Sequence, residues 1–115
     1  MPIQEWSETT IIAQLSNEPL FSEDFESLMR RVTGTPPTPD VIIDLQDVTA
    51  LNSSNLAQLI KLRDAVERGG SRLRICSLSD TVWAVFLVTR LDRLFEFTDD
   101  VTTSLTSLQL EEDSR

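Results

Sequence analysis

The stretch Asp40-Val-Ile-Ile-Asp-Leu-Gln-Asp-Val-Thr-Ala-Leu-Asn-Ser-Ser-Asn-Leu56 decides the fold. Its first part, Asp40 to Leu45, is a nearly continuous apolar run, the pattern of a strand buried on both faces in the middle of a sheet. Val48 to Leu51 adds a brief extended step. From Ser53 the period changes. Leu56, Leu59, Ile60, Leu62 and Val66 recur at helical spacing to about Arg68, and Gly69-Gly70 offers a C-cap. Arg63 falls within that apolar face, where its guanidinium either snorkels to the rim or meets a buried carboxylate partner. A buried strand, a short polar turn and an amphipathic helix form one strand–helix unit of an α/β fold.

Working outward, Arg72 to Cys76 reads as the next strand, and Ser79 caps a helix from Asp80 to about Arg90. Leu94 to Phe97 gives a short final strand, after which Asp99 opens a last helix carrying Val101, Leu105 and Leu108. Upstream, Thr33-Gly-Thr-Pro-Pro-Thr-Pro39 holds three prolines and a glycine and can only be a loop. The helix before it starts at Ser22, with Glu23 and Asp24 in its first turn and a stripe of Phe21, Phe25, Leu28, Met29 and Val32. Ile3 to Trp6 and Thr9 to Leu15, joined by the turn-like Ser7–Glu8, form an opening hairpin. The order ββαβαβαβα implies a single α/β domain over residues 1–110, with about four helices on a mixed, mostly parallel sheet behind an N-terminal hairpin. Residues 111–115 read as a frayed acidic tail.

Composition narrows the chemistry. The 115 residues carry ten cationic and nineteen acidic side chains, a net charge of −9, which argues against nucleic acid and disfavours an anionic membrane surface. A cationic patch on a protein partner is the natural complement. With no His there is no imidazole base and no usual zinc site. Cys76 is the single cysteine, so no internal disulfide forms, and its apolar neighbours mark it as a buried small hydrophobe, in keeping with a reducing cytoplasm. The longest apolar run, Val82 to Val88, is too short to insert into a bilayer, and Glu5 and Glu8 stand where a signal peptide carries positive charge. Gly34, Gly69 and Gly70 build no phosphate-cradling loop. Asp44 and Asp47 lie near a strand end without a nucleophile–base pair, and read as loop acids. The expectation is a protein without catalytic residues, metal or cofactor.

The segment Asp44 to Leu56 resembles the STAS family, the anti-sigma factor antagonist domains, in which a strand ending Asp-Leu and a short Val-Thr step precede Asp-Ser-Ser-Gly-Leu at a helix start. The resemblance continues through Arg68-Gly-Gly-Ser-Arg-Leu-Arg-Ile-Cys76 and Thr89-Arg-Leu-Asp-Arg-Leu-Phe-Glu-Phe97, and spans about Ile3 to Leu108. It implies a STAS-like fold and a partner-switching role. An unmodified antagonist binds an anti-sigma factor that is also a serine kinase, and phosphorylation of the antagonist releases it. The family's phosphorylated serine aligns with Ser53. Partner contacts are then expected from Asp47, Thr49, Asn52, Ser53, Ser54 and Asn55. Asn52 stands where the family usually has Asp, and Asn55 where it usually has Gly. These departures favour the alternative, a non-switching STAS scaffold or assembly subunit in which Ser53 or Ser54 only caps the helix.

The helix after Ser79 departs further. Val82, Val85 and Phe86 share one face, and Trp83, Leu87 and Val88 are expected to point away from it. Outward positions there are often charged in STAS domains. An apolar exterior implies either that a neighbouring loop or the carboxy-terminal helix covers Trp83 and Leu87, or a second interface through Trp83, Leu87 and Val88, to a homodimer or another STAS protein.

Overall fold

β3 (Asp40–Asp47) lies at the centre because Val41, Ile42 and Ile43 are all fully buried, and successive residues of a strand face opposite sides. Such a run needs cover on both faces, and the computed structural model, which describes residues 2–113 and side chains through Leu110, supplies it. Among these residues the sheet has the order β1 (Ile3–Glu5), β2 (Thr10–Ser16), β3, β4 (Leu73–Cys76), β5 (Phe97–Thr98). β1 pairs antiparallel with β2 and the remaining pairs are parallel, as the alternating order requires. The helices are α1 (Leu20–Val32), α2 (Ser53–Arg68), α3 (Asp80–Val88) and α4 (Val101–Asp113).

Two unequal layers result. Ile11, Ala13, Leu15, Val41, Ile43, Leu45 and Ile75 belong to the larger core, with Phe21, Phe25 and Leu28 of α1, Leu59, Leu62 and Val66 of α2, and Val82 and Phe86 of α3. The intervening residues Ile12, Ile42 and Cys76 pack with Leu108, Val101 and Leu105 of α4. That second layer is partly polar. Arg72 pairs with Asp40 at 3.0 Å and donates to the Leu108 carbonyl, while Arg74 donates to Ser107 Oγ at 3.0 Å. Burial pushes the Cys76 thiol above its ordinary pKa of 9.0.

Element boundaries shift where tertiary contacts outweigh local signals. α1 begins at Leu20, behind Pro19, not at Ser22. Pro fixes a helix-compatible φ and has no N–H to satisfy, and the Ser22 N–H and hydroxyl bond to the Glu18 carboxylate. α3 ends at Val88, and Arg90 turns the chain with φ +63° before a 3₁₀ turn over Leu91–Arg93. That turn delays β5 to Phe97, and Phe95, expected within the strand, is buried edge-on against Phe86 with centroids 5.9 Å apart. α4 continues to Asp113, through the first part of the segment expected to fray; Ser114 and Arg115 lie outside the described residues. Arg63 is partly covered as expected, and its Nε donates to the Leu94 carbonyl at 2.6 Å.

The α2–β4 turn is tightly packed at Gly69, where an added Cβ would come within 2.1 Å of Thr38 Oγ1 and 2.4 Å of Thr38 Cβ. Gly69→Ala should therefore destabilise the domain by about 1–3 kcal/mol, the usual cost of overpacking. Thermal unfolding measures this, and an unchanged melting temperature would contradict the packing described.

Candidate functional site

β3 delivers its chain to the carboxyl end of the parallel strands, where Val48 tucks in and its N–H bonds back to the Leu45 carbonyl at 3.0 Å. Asn52 then takes an extended conformation and caps α2. Its side-chain oxygen accepts from the Asn55 N–H at 2.8 Å, and the Asn55 side-chain oxygen accepts from the Asn52 N–H at 3.1 Å. This reciprocal pair satisfies two backbone donors near the helix start that would otherwise lack partners.

The β2–α1 loop is fastened beside this turn. Asn17 donates to Thr49 Oγ1 at 2.9 Å and accepts from the Thr49 and Ala50 N–H groups. The Glu18 carboxylate accepts from the Ser22 hydroxyl at 2.6 Å, the Ser22 N–H at 2.9 Å and Asn55 Nδ2 at 3.1 Å. Gln58 bridges the group, accepting from Asn55 and donating to Ser22. The bonds from Ser22, with a smaller one from Asn55, hold the Glu18 carboxyl below its ordinary pKa. The two loops thus make one surface around a depression of about 400 Å³, lined by Asn17, Glu18, Ala50, Leu51, Asn52 and Asn55.

Of the residues singled out in the sequence, Asp47, Thr49, Asn52, Ser53 and Ser54 are all exposed in this region. Neither the Ser53 nor the Ser54 hydroxyl makes a hydrogen bond among the described residues, and neither caps the helix; Asn52 does. Asn55 differs from its expected role as a direct contact. It is 2% exposed and turned inward to Glu18 and Gln58, so it holds the surface from beneath. Asp47 accepts from Gln14 Nε2 at 2.8 Å, and Asp44 is spent on the Gln46 N–H at 2.9 Å. Among the described residues no group of three His, Cys, Asp or Glu side chains is placed to hold a metal, and no helix is long and apolar enough to cross a membrane.

On α3 the expected outward trio divides. Trp83 is half-buried, with its ring edge-on to Phe97 at 4.9 Å, because the two-residue β5 leaves that aromatic face uncovered. Leu87 and Val88 do stand outward, 48% and 83% exposed. Sequence reasoning passed over Asn17, Glu18 and Gln58, and read Ser22 only as a helix start. Asn17-Glu18-Pro19 carries a local turn signal, but the partners Thr49 of Asn17 and Asn55 of Glu18 lie more than thirty positions away.

A family model described as the STAS domain matches residues 10–104. Similar solved structures include an anti-sigma-factor antagonist (STAS) domain protein from Planctomyces limnophilus, with 17% identity and a TM-score of 0.80 over 93% of this chain and 96% of that one. A variant of RsbS from Moorella thermoacetica has 16% identity and a TM-score of 0.82 over 97% of each chain. The STAS domain of a SulP transporter from Vibrio cholerae has 16% identity and a TM-score of 0.79 over 94% of this chain and 86% of that one. At these identities the likeness is one of fold.

Two substitutions test the network. Asn55→Gly removes half of the reciprocal cap and a bond to Glu18, and should lower stability by about 1–2 kcal/mol in equilibrium unfolding. Glu18→Gln should be pH-dependent. Because the folded-state pKa lies below the ordinary 4.5, the Glu18 contribution is present above pH 4.5 and is lost as pH falls through the lowered value. The melting difference between Glu18→Gln and wild type should accordingly be present at neutral pH and shrink in acid; a difference that grows in acid would contradict the assignment.

Proposed function

Because the chain belongs to the STAS domain family, we propose that it is a non-enzymatic regulatory module of the anti-sigma factor antagonist type, acting by partner switching. Its unmodified α2 start binds an anti-sigma factor that is also a serine kinase, in the cytoplasm. Phosphorylation of Ser53 by that kinase then ends the contact. The kinase brings the ATP, so this chain needs no nucleotide site of its own.

The observation that carries this reading is the idle hydroxyl of Ser53. A serine at a helix start is ordinarily explained by capping, but here Asn52 and Asn55 do the capping and Ser53 is exposed with its oxygen unbonded among the described residues. Three effects follow if phosphate is added. The helix N-terminus tolerates the new charge, so the fold is kept. The uncharged Asn52-to-Asn55 step gains about −1.5 to −2 units. A partner packed over Ser53 must then desolvate that charge or leave. The inward turn of Asn55 keeps its side chain out of a docking kinase's path, although the family usually has Gly there. Asp47, Thr49, Asn52 and Ser54 complete the contact surface, and nearby acidic groups speed encounter with a basic partner.

The scaffold reading is favoured by Asn52, which lacks the carboxylate that the family usually places beside the serine. It keeps the binding surface and dispenses with the modification. Incubation with ATP and the kinase recovered from native lysate on immobilised protein, followed by intact mass measurement, separates the two. Switching predicts one added phosphate on wild type and none on Ser53→Ala. No phosphate on wild type, or equal incorporation in Ser53→Ala, would overturn the site assignment.

A further inference from the structure

α3 carries an exposed strip that the α2 surface does not explain. Asp80, Thr81, Ala84, Leu87 and Val88 are all exposed, and at 100° per residue they occupy one side of the helix. No charged side chain lies between Asp80 at one end and Arg90 just beyond the other. The strip is therefore small and polar in its first half, bulky and apolar in its second, with an acid and a base at opposite ends. Those properties are self-complementary under reversal.

We infer that α3 is a self-association surface, on which two copies of this chain pair their α3 helices antiparallel about a two-fold axis at Ala84. The axis sets Leu87 and Val88 of one copy against Thr81 and Asp80 of the other, bulky on small at both ends. Ala84 at the crossing point has only a methyl group to accommodate, which permits the close end of the interaxial range. Arg90 of one copy falls within about 3 Å, along the axis, of the level of Asp80 in the other, given the helical rise. Arg90 is exposed and its side chain makes no bond among the described residues. Each contact off the axis occurs twice. Trp83 plays no part, since it is committed to Phe97. The inference goes beyond the partner-switching reading and stands whether or not Ser53 is modified.

The face is small, so the dimer is a weak one, below the size class of obligate interfaces. Sedimentation equilibrium of the full chain, up to about 1 mM at the weak end of the affinity scale, should show reversible dimerisation. Leu87→Glu with Val88→Glu, at positions that contribute little to the core, should abolish it while leaving the far-ultraviolet circular dichroism unchanged. Asp80→Arg and Arg90→Asp each place like charges together and should each be monomeric alone. Mixed in equal amounts they restore both opposite-charge pairs, and the mixture should dimerise. A wild type that stays monomeric, a dimer that survives the Leu87 and Val88 substitutions, or a mixture no more dimeric than its two components would overturn the proposal. Because the mixing readout compares two folded variants, the loss of a favourable first-turn acid in Asp80→Arg does not confound it.

Discussion

Burial of Val41, Ile42 and Ile43 between two parallel neighbours and two helical layers is the constraint on which the rest of this molecule depends. Side chains of this kind contribute about 1.5–3 kcal/mol each when removed from water, and a slip of one residue would turn Asp44 from the α4 side into the larger core. The register of β3 is therefore fixed, and with it the point where the strand leaves the sheet at Asp47. From there the chain must turn out and return over the larger core as α2, whose apolar stripe is Leu56, Leu59, Leu62 and Val66. The positive end of that helix is thereby held at the surface. The position of Ser53 follows from the strand, not from any local preference of the serine.

A division of labour at the helix start gives that position its chemical meaning. Asn52 and Asn55 satisfy the backbone, Asn17 and Glu18 brace the turn from the neighbouring loop, and Gln58 closes the network through Ser22. Ser53 is left out of every one of these bonds. A residue excluded from the structural network can change charge without disturbing the fold. In the proposed switch the overall charge of −9 and the uncharged Asn52-to-Asn55 step act on different events, the first on encounter and solubility, the second on docking.

Much of this was legible in the amino-acid sequence because the deciding signals are local. The doubly buried β3 shows itself as an unbroken apolar run, α2 as a periodic stripe with Gly69-Gly70 behind it, and the proline loop by its composition. Misplaced boundaries trace to contacts distant in sequence. Ser22 has the chemistry of a cap, yet Glu18 and Pro19 start α1 two residues earlier. The Leu94-to-Phe97 run has strand propensity, yet Phe95 is drawn into an aromatic cluster with Phe86. Trp83 shows a different weakness. In a helix that is apolar nearly all round, periodicity has little contrast to work with, and only the reach of Phe97 decides which way the indole faces. The candidate site was half legible: the Asn52-to-Asn55 motif stands out, whereas the Asn17–Thr49 and Glu18–Asn55 ties pair residues whose meeting depends on the completed sheet.

The central claim is that charge at Ser53 alone governs partner release while the domain stays folded. It is tested most directly by the affinity of the partner, captured on the immobilised wild-type chain and then titrated against wild type and Ser53→Asp. Switching predicts at least about a tenfold loss of affinity for Ser53→Asp, or some 1.4 kcal/mol, with an unchanged unfolding transition. Equal affinity of the two folded proteins would contradict it and leave a scaffold whose serine has no switching role.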